Sequence, residues 1–128
     1  MKVIFGSAGF AKEVYLILVK LYSIEVEVEC FVCADNDASQ GQRIKEIPII
    51  SESEFFEKYK NSPIDAYIAV GSPKIKENIF NKVRNNINGV VTFPNLIDPS
   101  VAINYKSNFI DIGQGVIICA GVSLTIDI

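Results

Sequence analysis

The segment Gly6-Ser7-Ala8-Gly9 is small at four consecutive positions and runs into Phe10-Ala11-Lys12, where an apolar run gives way to helical spacing. At such a strand–turn–helix junction the first backbone N–H groups of the helix face a space free of side chains, which suits a phosphate or pyrophosphate. Against the dinucleotide template G-x-G-x-x-G, the second and third glycines are replaced by Ala8 and Ala11. The same turn also serves plain strand–helix packing, so the position in the element order carries as much weight as the residues. Gly71-Ser72-Pro73 forms a second junction of the same kind, and Lys76, one turn further on, is placed to meet a phosphate as a point charge. Asp35, followed by Asn36 and Asp37, closes the second apolar run, where an acidic residue contacts ribose or base in folds of this type. Asp and Asn are also ordinary turn formers, which leaves a solvated turn as the other reading.

The chain contains no histidine. This removes the usual neutral-pH general base, Ser-His and Cys-His nucleophile pairs, and most zinc sites. Cys30-x-x-Cys33 has redox spacing but lies in a strand rather than at a helix N-terminus. Residues i and i+3 of a strand face opposite sides, so the two thiols are expected to be separate buried hydrophobes. Any chemistry of this chain alone would have to use carboxylates, lysine, tyrosine or backbone groups; no metal site is expected, and the candidate site for a phosphate-bearing nucleotide ligand is made of Gly6, Ser7, Ala8, Gly9, Asp35, Asn36, Gly71, Ser72 and Lys76.

These residues need elements to hold them. Lys2–Phe5 reads as a buried strand, and Val14, Ile17, Leu18 and Leu21 as the inner face of a helix. Glu25–Val32 alternates acidic and apolar residues, as a strand does, and Ile47-Pro48-Ile49-Ile50 reads as a short edge-like strand. Ser51-Glu52-Ser53-Glu54 matches a capping box before Phe55, Phe56 and Tyr59. Asp65–Val70 is a further strand, Pro73 opens a helix carrying Ile75, Ile79 and Val83, and Gly89–Phe93 is a last strand. Alternating strands and helices predict a small Rossmann-like α/β domain with a parallel sheet over residues 1–95. Beyond Pro94 the period changes: Ile97, Ile103 and Phe109, then Ile112, Ile118 and Leu124, recur every six residues. That beat predicts the first, incomplete coils of a β-helix over residues 96–128. Such units do not bury an apolar face alone, so the chain is expected to continue past Ile128 or to be a piece of a longer protein.

Bulk properties narrow the partners. With 128 residues, a net charge of −3 and a pI near 4.9, the chain is a standard domain with no basic surface for nucleic acid. Its apolar runs are too short for a bilayer span, and Met1 to Gly6 is too short for a signal-peptide core. Three cysteines, an odd number, suit a reducing compartment, and a cytoplasmic location is expected.

Taken in order, several segments resemble the bacterial sialic acid O-acetyltransferase (NeuD) family, which includes UDP-sugar N-acetyltransferases and related sugar acyltransferases. They are Val3 to Val14, Phe31-Val32 with its acidic turn, Gly41 to Pro48, Ala69 to Ser72, and the tail from Ile97 through Ile112 to Ile118. The resemblance implies an N-terminal Rossmann-like domain holding the nucleotide of a UDP-linked sugar. It also implies a left-handed β-helix of hexapeptide repeats that forms a homotrimer and binds acetyl-CoA between subunits, with a histidine as general base. This chain has Phe10 where the family often has histidine and Lys76 where it often has arginine. The family's catalytic histidine would fall just beyond Ile128, so the chain is expected to bind a nucleotide-sugar rather than to catalyse by itself. A non-catalytic regulatory or oligomerisation domain of the same fold is the alternative. A nicotinamide-dependent oxidoreductase suits the sequence less, for want of the second and third glycines and of a substrate domain.

Overall fold

A computed structural model describes residues 1–23, 25–100, 115, 117 and 118. In chain order its elements are β1 (Lys2–Phe5), α1 (Gly9–Tyr22), β2 (Val28–Cys33), β3 (Arg43–Ile44), β4 (Ile47–Ser51), α2 (Glu52–Tyr59), β5 (Ile64–Ile68), α3 (Pro73–Asn86), β6 (Val91–Thr92), β7 (Leu96–Ile97) and β8 (Ile117–Ile118). The first six strands form one sheet in the order β3-β4-β2-β1-β5-β6, with only β3 antiparallel to its neighbour. This is an α/β domain on a mixed sheet, with its strand order reversing direction on either side of β1.

Strand alternation explains the two faces. Val3, Phe5, Cys30, Val32, Ala66 and Ile68 turn toward α2 and α3, meeting Phe55, Ile79 and Val83. Ile4, Phe31, Cys33 and Tyr67 turn the other way, toward Ala11, Val14, Ile17 and Leu18 of α1. Phe5 and Phe55 meet edge to face with centroids 5.4 Å apart, a favoured aromatic geometry. The helical stripe matches the predicted one except at Leu21, which is 44% exposed near the end of α1. Cys30 and Cys33 lie on opposite faces of the sheet, both as free thiols, and burial pushes the Cys30 thiol up to about 12.

Two elements differ from the sequence reading. The expected edge strand, Ile47–Ser51, is an interior strand, because the polar stretch before it folds back as β3 and covers its free side. Pro48 is tolerated there because it lies outside the ladder with β2, which begins at Ile49. The second strand begins at Val28, so Glu25 and Glu27 precede it.

Just past β6, Phe93 and Leu96 stay in the core of the domain. Leu96 is buried in the α1-side core, and β7 pairs in parallel with β8 through Leu96–Ile117 and Ile97–Ile118. Most of the six-residue beat between Ile97 and Leu124 lies outside the described residues. Asp98 anchors this region: its carboxylate is buried, receives the Lys20 ammonium at 2.8 Å, and accepts the Ser100 N–H at 2.9 Å. Those two hydrogen bonds, Lys20 first, hold its pKa down to about 2, against 3.8 ordinarily. A carboxylate depressed in the folded state stabilises above its ordinary pKa, and that stabilisation is lost as pH falls through the folded value. Urea melts at pH 5 and pH 2.5 should therefore show a stability loss that shrinks in Asp98→Asn. An equal loss in both proteins would show that the Lys20–Asp98 contact does not carry it.

Candidate functional site

The carboxyl ends of β1, β2 and β5 open onto a cleft of about 320 Å³. It lies where the strand order reverses, which is where open α/β sheets take their ligands. Its floor is the turn after β1, Gly6, Ser7 and Ala8, facing the turn after β5, Ala69, Val70 and Gly71. Cys33, Ala34 and Asp37 close the β2 side, and Ile75 and Ile79 of α3 give it an apolar wall.

Gly6 makes this arrangement possible. Its φ of +128° is a conformation L side chains rarely adopt, and a Cβ there would lie 2.5 Å from the Ala69 carbonyl oxygen. The Gly6 N–H donates to Val32 O at 2.8 Å, and the Ala69 N–H donates to Phe5 O at 2.8 Å. One backbone position is thus pinned between two neighbouring strands.

The three helices differ at their starts. Ser51 caps α2 by accepting the Glu54 N–H, and Ser72 caps α3 by accepting the Ile75 N–H at 3.3 Å. Ala8 stands at the N-cap of α1 and has no side-chain oxygen to offer. The first turn of α1 contains no acidic residue either. The positive end of the α1 dipole and its leading N–H groups therefore meet the cleft without a side-chain acceptor.

Acidic groups lie at the other side. Asp37 accepts the Ser39 N–H at 2.8 Å and the Ser39 hydroxyl at 2.6 Å, and Ser39 in turn meets the Ser7 hydroxyl at 2.9 Å. The Ser39 hydroxyl and then its N–H hold the Asp37 carboxyl below the usual 3.8, so it is an anionic acceptor at neutral pH. Glu52 also lines the cleft, with its charge met by Lys82 at 2.9 Å.

Of the residues expected from sequence, Gly6, Ser7, Ala8 and Gly71 line the cleft together. Gly9 is the first residue of α1, and neither it nor Gly71 has any atom within 4 Å of where a Cβ would sit. Ser72 faces its own helix as a cap. Asp35 does not line the cleft; its two carboxylate oxygens take the N–H and hydroxyl of Ser53, tying the acidic turn to α2. Asn36 is exposed on the same turn. Lys76 reaches the other way, donating to the Gly115 carbonyl at 2.9 Å, and so holds the region after β6 against α3. Asp37 and Ser39, which meets the Ser7 hydroxyl, are the polar groups that the sequence reading left out of the site. Sequence spacing alone does not say which of two acids two positions apart turns inward. Among the described residues no group of side chains is arranged to hold a metal ion, and no helix is long and apolar enough to cross a membrane.

A crevice at the strand-order reversal of a mixed, mostly parallel sheet, with an uncapped helix start on one side and a carboxylate on the other, is the arrangement of a Rossmann-like α/β domain. Residues 3–83 match the family described as the PglD N-terminal domain, and the chain belongs to that family. Its fold is shared with PerB from Caulobacter crescentus, solved in complex with CoA and GDP-perosamine (TM-score 0.73, 23% identity, 97% of this chain and 53% of that one). It is also shared with the acetyltransferase domain of PglB from Neisseria gonorrhoeae, solved in complex with acetyl coenzyme A (TM-score 0.68, 20% identity, 95% and 54%). The chain thus spans about half the length of the structures it matches. A comparison with curated protein sequences gave no match.

Gly6→Ala should destabilise the domain by roughly 2 kcal/mol or more, from a disallowed φ together with the Ala69 clash. Gly71→Ala, with open space at its Cβ, should stay within about 0.5 kcal/mol of the parent. Paired denaturant melts check both, and equal stabilities would remove the special role given to Gly6.

Proposed function

We propose that this chain is the nucleotide-sugar-binding part of a bacterial acetyl-CoA-dependent sugar acetyltransferase. The observation that carries the reading is the α1 start: leading N–H groups without a side-chain cap, beside Gly6, Ser7 and Ala8 on the floor of a cleft. Among the described residues no Lys or Arg lines that cleft. The charge of a pyrophosphate would be met by backbone donors and the helix dipole, as at other helix-start anion sites. Asp37 takes the part expected of Asp35, as an anionic acceptor for ribose hydroxyls or a base N–H. Gly71 leaves room for the ligand beside α3. Residues 1–95 would form the binding unit, and residues 96–128 would begin a left-handed β-helix of hexapeptide repeats that trimerises.

PerB holds a GDP-linked sugar, whereas the sequence resemblance implies a UDP-linked one, and we propose the UDP form. Acetyl-CoA would supply the acyl group. The described residues offer no base suited to free a sugar amine or hydroxyl, since Asp37 is held ionised below its usual pKa and the chain has no histidine. The part of this chain is then to bind and orient the sugar nucleotide. The sialic acid branch is one home for such a protein, within a wider set of sugar acetyltransferases.

Isothermal titration with UDP-N-acetylglucosamine and with a GDP-linked sugar tests the reading. Micromolar binding of the UDP sugar is expected, weakened at least about tenfold by Gly71→Leu, which fills the cleft while leaving the melt unchanged. Asp37→Asn should weaken binding, whereas Asp35→Asn should act on stability alone. A folded protein giving no heat with either sugar nucleotide overturns the proposal.

A further inference from the structure

Beside the first two turns of α1, a second groove of about 390 Å³ lies between the helix and the β3–β4 hairpin. It is lined by Lys12, Tyr15, Leu16, Arg43, Ile44 and Lys45, three cations and three apolar groups with no carboxylate among them. The chain as a whole is acidic, with a net charge of −3, so the groove is a local reversal of sign. Lys12 and Lys45 have no carboxylate partner among the described residues. Arg43 spends one N–H on the Glu46 carbonyl at 2.8 Å, which holds its guanidinium at the hairpin.

The hairpin that carries two of these cations is unusual in composition. Ile44 pairs with Ile47, so Lys45 and Glu46 form a two-residue turn, and both have positive φ, 50° and 70°. Turns of that kind ordinarily use Asn-Gly, because bulky side chains strain there. Here a lysine occupies the first strained position and lines the groove. The floor is firm as well: the Tyr15 ring stacks near parallel on Phe31, with centroids 6.3 Å apart and 21° between planes. Leu16 beside it is 53% exposed.

We propose that this groove is a second binding site, separate from the cleft, for a small anionic ligand bearing a flat apolar ring, of the class of a nucleoside phosphate. Lys12, Arg43 and Lys45 would take the phosphate oxygens, Arg43 through its planar fork and the lysines as point charges. Tyr15, backed by Phe31, and Leu16 would take the ring, as aromatic platforms take bases without reading their edges. The groove volume is within the range of small-ligand sites.

The test is a titration of the isotopically labelled chain with ADP and, separately, with inorganic pyrophosphate, read at individual backbone amides. ADP should shift the amides of Lys12, Tyr15, Ile44 and Lys45, a set distinct from the cleft amides of Ser7 and Gly71. Pyrophosphate should reach the same set at least about tenfold more weakly, because it lacks the ring. Arg43→Glu with Lys45→Glu should cost at least about tenfold in ADP affinity at the groove, and Lys12→Glu, on the separate helix, gives the same readout should the hairpin variant unfold. The proposal is overturned if the groove amides do not move, if the charge reversals leave affinity unchanged, or if pyrophosphate binds there as tightly as ADP.

Discussion

A single backbone position, Gly6, sets how closely the central strands can end. Its N–H reaches Val32 of β2 while its missing side chain admits the Ala69 carbonyl that follows β5. With any Cβ in place, the end of β5 would have to move away from β1, and the two turns that form the floor of the cleft would part. The close approach is also what directs the chain from β1 into α1 with only three residues between strand and helix. Cleft floor and helix start therefore share one packing constraint.

The cleft has an electrical direction that follows from this layout. Among the described residues no cation lines the cleft, so under the proposed reading an anion would be met by the backbone dipoles of α1, while the Asp37–Ser39–Ser7 chain supplies acceptors and hydroxyls. Dipoles held by a folded helix need no reorganisation when a ligand arrives, unlike a long lysine that must give up rotamer freedom. Lys76, next to Ile75 of the cleft wall, is committed elsewhere. By bonding to the Gly115 carbonyl it joins α3, whose Ile75 and Ile79 wall the cleft, to the chain segment after β6. Lys20 and Asp98 make a second attachment of that segment, on the α1 side.

Much of this could be read from residue types because short-range rules govern it. The β1 and β5 strands, the three helices, the Ser51 cap and the proline start of α3 each follow from periodicity or capping over a few residues. What escaped depended on tertiary contact. Asp35 and Asp37 are equally good turn residues, and only the approach of Ser53 on α2 and of Ser39 on the following turn decides that one is a tether and the other faces the cleft. The direction of Lys76 depends on where Gly115 packs, which no local pattern encodes. The β3 strand is only two residues long, below what alternation can reveal, yet it turns Ile47–Ser51 from an edge into an interior strand. Cys30 and Cys33 were legible for the opposite reason: strand parity alone separates them.

Helix α1 then takes part in two different surfaces. Its start contributes uncapped dipole to the cleft, its inner stripe of Ala11, Val14, Ile17 and Leu18 holds the sheet, and its outer stripe of Lys12, Tyr15 and Leu16 faces the hairpin groove. The spacing 12, 15, 16 is itself a helical stripe, so this helix is amphipathic in an uneven way: one flank is neither buried nor fully polar. A solvated flank needs no stacked tyrosine and no exposed leucine, and a core flank would exclude lysine. This mixed flank beside a positively charged, strained hairpin is the surface on which the proposed second site rests.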